Sequence, residues 1–148
     1  MKSKPESKIL VITNMYPSEK AMSFGIFIKN QVEELRSRGF YVDVVGIKDY
    51  RMGIFFAIKK YLVWCIKIFA KILKREKYDI IHCHYIFPSG LFGMIFKKLY
   101  GSKLVVTAHG GDIDKMARKN EYTFNKTKEI LENADQVIAV GEKLKKDI

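Results

Sequence analysis

Cysteine, proline and tryptophan are scarce in this sequence of 148 residues, which has two cysteines, three prolines and one tryptophan. Cys65 and Cys83 cannot build the disulfide framework of a small secreted domain, so a reducing, cytoplasmic setting is expected. The chain opens with the polar stretch MKSKPESK and not with a basic end followed by an apolar run, so no secretory leader is expected. No repeat or low-complexity segment divides the chain, and its length fits one domain.

Acidic residues are also few, 16 against 27 lysines and arginines, and the formal net charge is +11. This charge predicts attraction to phosphates, nucleic acid or an acidic lipid surface, and does not by itself choose among them. No nucleic-acid-binding motif is present, and aromatic residues are not interleaved on a strand as in RNA-recognition domains, so no nucleic-acid partner is expected.

Several catalytic motifs are missing. Without GxGxxG, a dinucleotide-binding dehydrogenase loses its main support, and Ser89 before Gly90 lacks the flanks of a hydrolase GxSxG turn. The run HCH at 82–84 holds three possible zinc ligands, but strand alternation sends Cys83 to the opposite side from the two histidines. Since no CxxC or HExxH motif supplies further ligands, no metal site is expected.

Short apolar runs alternate with helical stretches. The first helical stretch, GIFIKNQVEELRSRG, has apolar residues at helical spacing and a glycine stop: Phe24, Ile28, Val32, Leu35 and Gly39. The strands are predicted at Ile9–Thr13, Tyr41–Gly46, Tyr78–His82, Lys103–Thr107 and Gln136–Val140. Five strands in this alternation predict a Rossmann-like, doubly wound parallel sheet with helices on both faces, whose ligands bind beyond the carboxyl ends of the strands.

The loop after the first strand, TNMYPSEKAMSFG, is long and places Phe24 and Gly25 at the start of the next helix. A glycine there allows backbone N–H groups and the positive helix end to approach a phosphate. An ordinary turn glycine explains this feature equally well.

Histidines follow the third and fourth strands. His82 is predicted to be a buried, hydrogen-bonded strand residue, whereas His84 shapes the cleft floor before the helix that Pro88 starts. In VVTAHGGDID, His109 comes directly off a buried strand, Gly110 allows a tight turn, and Asp112 lies within one turn. The alternative is a polar turn whose histidine only caps the strand, but the placement favours a functional histidine.

The segments MYPSEKAMSFGIFIKNQVEELRSRGFYVDVVG, YDIIHCHY, VVTAHGGD and ADQVIAV together resemble the amino-terminal domain of group 1 (family 4) glycosyltransferases. This resemblance covers nearly the whole chain. It implies one half of a GT-B fold, in which two Rossmann-like domains face each other across a cleft. It also implies transfer of a sugar from a nucleotide-sugar with retention of anomeric configuration, without a metal ion.

The resemblance also assigns roles to individual residues. Gly25 would lie near the donor diphosphate and the acceptor, and His109 would face the transferred sugar. Asp112 matches the acidic residue of the family's HGxD pattern, whereas Gly141 stands where the family commonly has serine. The donor-binding carboxyl-terminal domain would come after Ile148, so the 148-residue chain alone is expected to be inactive.

A basic helical segment precedes the third strand. Between Met52 and Lys77 there are seven lysines or arginines and one glutamate. The apolar face predicted to pack on the sheet consists of Phe55, Ile58, Leu62, Cys65, Phe69 and Leu73. Trp64 would then fall on the opposite, lysine-rich surface with Lys60, Lys67 and Lys71, as in helices that dock peripherally on the inner face of a membrane. A core helix with a solvated basic face is the alternative.

Two other function classes stay open on the sequence alone. A sugar-nucleotide epimerase can share the two-domain GT-B architecture, and its product would be an epimerised nucleotide-sugar. A non-catalytic, basic membrane-docking module would show no turnover at all.

Overall fold

The sheet has five parallel strands in the order β2-β1-β3-β4-β5. The structure is a computed structural model, and it describes residues 7–148, so all but the last two residues of the polar stretch MKSKPESK lie outside it. The predicted Rossmann-like α/β architecture is confirmed, and the observed strands differ from the predicted ones only at their ends. The strands are β1 Lys8–Thr13, β2 Tyr41–Gly46, β3 Ile80–His84, β4 Lys103–Ala108 and β5 Gln136–Ala139.

Strand β3 begins two residues later than predicted. Pairing with β1 and β4 starts at Ile80 and runs to His84, which places His84 at the carboxyl edge of the sheet. Just before the strand, Tyr78 shares its hydroxyl proton between the carboxylates of Asp43 and Glu76, and its carbonyl accepts from Ser102.

Helices cover both faces of the sheet. The chain moves from β1 to β2 in one direction across the sheet and makes every later move between strands in the other direction. Because such connections are right-handed, α1 lies alone on one face of the sheet. There Ile28 and Val32 of α1 are fully buried against β1 and β2, as their spacing predicts. The helices are α1 Ile26–Ser37, α2 Ile54–Leu73, α3 Ser89–Tyr100, α4 Glu121–Asn133 and α5 Glu142–Asp147, with a π-helical turn at Asp112–Met116.

The two faces of α2 are the reverse of those predicted from its spacing. Trp64 is only 2% exposed, its indole N–H donates to the carbonyl of Val45 at 3.1 Å, and it packs in the core with Ile68 and Ile72. Of the predicted core face, Cys65 packs against the core, and Phe69 makes an edge-to-face contact with Phe92 at 5.8 Å. The other five residues are exposed, from 46% for Phe69 to 81% for Leu73, namely Phe55, Ile58, Leu62, Phe69 and Leu73.

The prediction failed because α2 carries two apolar faces, each with spacings of three and four residues. Tyr61, Trp64, Ile68 and Ile72 form the second face, and periodicity alone cannot say which one packs on the sheet. In the fold, the face with Trp64 packs on the sheet, and the buried indole N–H has its acceptor in the Val45 carbonyl.

The lysines of the predicted docking surface are also largely engaged. The Lys71 ammonium donates to Asp43 at 2.5 Å, and Lys60 donates to two backbone carbonyls of the 49–51 loop at 3.2 and 3.4 Å. Lys67 alone of the three is exposed. The surface combining Trp64 with these lysines therefore does not exist in the fold. Within residues 7–148, no helix is both long and apolar enough to span a bilayer.

Candidate functional site

The carboxyl edge of the sheet brings together the histidines that end β3 and follow β4. His84 is the last residue of β3, and His109 comes directly after β4. These strands are neighbours, and Nδ1 of His84 lies 3.1 Å from Nε2 of His109. The two residues that the sequence identified separately thus form one hydrogen-bonded pair.

His82 extends this pair into a stack along β3. The rings of His82 and His84 lie on the same side of the strand, with centroids 4.3 Å apart, whereas Cys83 is buried in the opposite core. Nε2 of His82 lies 2.7 Å from the hydroxyl of Thr107, so His82 is the buried, hydrogen-bonded strand residue that was predicted. Across residues 7–148, no cluster of three His, Cys, Asp or Glu side chains is arranged to hold a metal ion.

Burial keeps the three histidines neutral at pH 7. It lowers the pKa of His82 to about 4 and that of His84 to about 2, with a further lowering from neighbouring histidines. Burial also lowers the pKa of His109, against the opposing effect of the Asp112 charge. A neutral His109 can exchange hydrogen bonds with a hydroxyl without adding positive charge to the site.

The neutral state constrains which nitrogens carry protons. Nε2 of His84 is buried and has no partner within the described residues. An unpaired buried N–H is costly, so the His84 proton is best placed on Nδ1, where it is donated to Nε2 of His109. The proton of His109 then resides on Nδ1, which is left as a hydrogen-bond donor.

Asp112 joins the loops that follow β3 and β4. Its carboxylate is buried at the start of the π-helical turn and accepts the backbone N–H of His109 at 3.0 Å and that of Ile86 at 3.2 Å. Gly110 between them has φ +97°, the turn that the glycine predicts. Asp112 therefore positions His109 through the backbone.

Gly25 lies where α1 begins. It has φ +75°, and a β-carbon there would come within 2.8 Å of the Met15 carbonyl oxygen. The glycine is thus required by packing of the first loop. No side chain caps α1, and its first turn reaches the site through Phe27, whose ring lies 4.9 Å from that of His109. Phe24 is half-buried, and its ring is not among those that contact His109 in the described part of the chain.

Sequence reasoning missed Phe27 and Tyr85. The Tyr85 ring lies 4.5 Å from the His109 ring, and its hydroxyl contacts the sulfur of Met15 at 3.6 Å. The aromatic in the first turn of α1 and the aromatic directly after β3 were the available signals. Both rings pack near the His109 imidazole.

The site thus combines a strand-end histidine, a tight glycine turn and a helix start without a side-chain cap. The sequence that forms it can be compared with known proteins. The family model for glycosyltransferase family 4 matches residues 25–148. The chain belongs to glycosyltransferase family 4. This match includes Gly25, His84, His109 and Asp112, so the candidate site lies within the family's own region.

Two related glycosyltransferases support this membership. The chain is 30% identical over 142 residues to an uncharacterized glycosyltransferase of Methanocaldococcus jannaschii, covering 94% of this chain and 38% of the relative. It is 27% identical over 178 aligned positions to TuaC of Bacillus subtilis, whose assignment as a teichuronic acid biosynthesis glycosyltransferase is provisional, covering 95% of this chain and 46% of the relative. The chain thus spans less than half the length of either relative.

Proposed function

We propose that this chain is the amino-terminal, acceptor-side domain of a retaining, hexosyltransferase-type enzyme of GT-B fold. The observation that carries the proposal is the hydrogen-bonded pair of His84 and His109 at the carboxyl edge of the sheet, beside the uncapped start of α1. Family membership supports sugar transfer as the chemistry. The donor would be a nucleotide-sugar and the acceptor a growing glycan or a lipid-linked sugar.

In this proposal, His109 orients the transferred sugar. Its Nδ1–H donates to a sugar hydroxyl, while Nε2 is held by His84. As the bond from the anomeric carbon to the donor phosphate breaks, the acceptor oxygen bonds to the same face, and its proton passes to the leaving phosphate. A neutral His109 does not repel the oxocarbenium-like charge that develops, so its contribution is orientation and polar stabilisation.

The phosphate side of the reaction would use the start of α1. Its helix dipole favours an anion, and Gly25 keeps the loop close to the helix. A second Rossmann-like domain across the cleft would hold the nucleotide and most of the diphosphate contacts, without a metal cofactor. Free thiols at Cys65 and Cys83 support action in the cytoplasm.

The test is sugar transfer from a panel of UDP-, GDP- and ADP-sugars, by the 148-residue chain and by any longer protein that contains it. We expect transfer with retained anomeric configuration by the longer protein and none by the chain alone. His109→Ala should lower kcat/KM by about 100-fold or more, the size seen for loss of a transition-state donor, in a variant that circular dichroism shows to be folded at the assay temperature. Transfer by the chain alone would contradict the two-domain requirement, and an epimerised nucleotide-sugar would favour an epimerase.

A further inference from the structure

An apolar stripe runs along the solvent side of α2. It consists of six residues whose exposed fractions range from 46% to 81%, namely Phe55, Ile58, Leu62, Ile66, Phe69 and Leu73. At 3.6 residues per turn, all six fall within about 80° of one another around the helix axis. Because α2 has 20 residues, the stripe is nearly 30 Å long.

The stripe is not needed to hold α2 on the sheet. That packing is made by the opposite side of the helix, where Trp64, Ile68 and Ile72 are buried in the core. A continuous apolar surface of this length on the outside of a domain marks a site of interaction.

The charges beside the stripe indicate what it contacts. Lys59, Lys67 and Lys74 lie along one flank and are exposed, and none has an ion-pair partner within residues 7–148. Helix α2 contains no acidic residue at all. Aromatic and aliphatic residues flanked by unpaired lysines complement a partner that has an apolar layer beneath an anionic surface.

A second copy of the chain fits this surface poorly. Two stripes packed antiparallel around a twofold axis would bring the lysine flanks near one another, without acidic partners from α2 to balance them. An anionic bilayer supplies both an apolar layer and neutralising headgroups.

We propose that α2 lies in the surface plane of an anionic lipid bilayer, with the apolar stripe inserted and Lys59, Lys67 and Lys74 among the headgroups. Helices that bind in this way insert their apolar face about 5–10 Å, to the boundary between headgroups and acyl chains. The lysine flank adds attraction to anionic lipid. This inference rests on the surface of α2 alone and does not depend on the proposed sugar transfer.

The first test uses a matched pair of exposed leucines. Leu62 lies in the stripe and is 58% exposed, whereas Leu99 lies on α3 outside it and is 57% exposed. The chain's charge of +11 will give some binding to any anionic vesicle, so the comparison between variants decides. On vesicles of phosphatidylcholine and phosphatidylglycerol at physiological salt, we expect Leu62→Ser to weaken partitioning tenfold or more and Leu99→Ser less than twofold.

The lysine flank has its own matched pair. Lys67→Glu should weaken binding to the same vesicles several-fold more than Lys98→Glu, which changes an exposed lysine next to Leu99 on α3. The difference should vanish on vesicles of phosphatidylcholine alone. Equal effects of the two charge changes would mean that attraction is a property of the whole chain and would overturn the assignment to α2.

A second measurement reports insertion directly and does not depend on affinity. Tryptophan introduced by Leu62→Trp should be quenched by brominated lipids, whereas Leu99→Trp and the native Trp64, which faces the core, should not. Quenching of Trp64 instead would restore the opposite face of α2 as the docking surface. Failure to bind vesicles, or a chain dimer in light scattering that Leu62→Ser dissociates, would overturn the proposal in favour of a protein partner or a second copy.

Discussion

Replacing Asp112 by asparagine tests whether this carboxylate holds the site loops together. Asp112 is 3% exposed and accepts the backbone N–H groups of His109 and Ile86. Asparagine keeps one acceptor oxygen but turns an amide NH2 toward the other donor. Losing a charge-assisted bond and leaving a buried N–H unpaired should cost about 2–4 kcal/mol of unfolding free energy. In a chain of this size, that lowers the unfolding temperature by roughly 6–12 °C.

Scanning calorimetry with a neighbouring substitution isolates the effect. Asp114 lies in the same π-helical turn but is exposed, with no side-chain partner in the described part of the chain, so Asp114→Asn should shift the unfolding temperature by at most about 1 °C. Urea unfolding should rank the two variants in the same order. If Asp112→Asn unfolds at the same temperature as Asp114→Asn, then the Asp112 carboxylate does not join the two loops, and the positioning of His109 has another source.

Three further outcomes are expected. Gly25→Ala should cost at least about 1 kcal/mol more unfolding free energy than Gly101→Ala in urea titrations, because both sites have a left-handed φ, +75° and +70°, but only the first also meets backbone atoms. The free energy of unfolding should fall as the pH drops from about 6.5 toward 4, by up to about 1.4 kcal/mol per pH unit for each buried histidine, because the folded-state pKa values of His82 and His84 lie below 6.5 and the unfolded chain binds the protons. Urea midpoints at pH 7, 6 and 5 measure this fall, and a His84→Gln variant with the same slope of stability against pH would count against it. Acrylamide should quench Trp64, the single tryptophan, only after unfolding, and ready quenching of the native chain would contradict its burial.

Much of the sheet and the centre of the site follow from the sequence. Continuous apolar runs such as Ile9–Thr13 identify strands buried on both faces, and their alternation with helices requires parallel pairing. Residues that follow neighbouring parallel strands must meet at one edge. This reasoning places His84 and His109 in the same region without any coordinates, although it does not predict that they bond to each other.

Other features depend on choices that periodicity cannot resolve. The apolar faces of α2 are equivalent by spacing, and the packing of Trp64 in the core, with its N–H on the Val45 carbonyl, shows which of them faces the sheet. Tyr85 and Phe27 come from different loops, and their approach to His109 depends on loop paths set by tertiary packing. The role of Asp112 is likewise visible only in its two backbone partners.

The backbone at Tyr85 adds a cost to this site. Tyr85 has φ +67°, a conformation that disfavours a bulky side chain by about 1–2 kcal/mol, yet there its ring covers His109. Glycine or asparagine would relieve this strain and leave the imidazole uncovered on that side. Because the Tyr85 ring also packs against the core on the α1 face, this backbone strain is offset by side-chain packing, and the ring that stabilises the fold also covers the histidine.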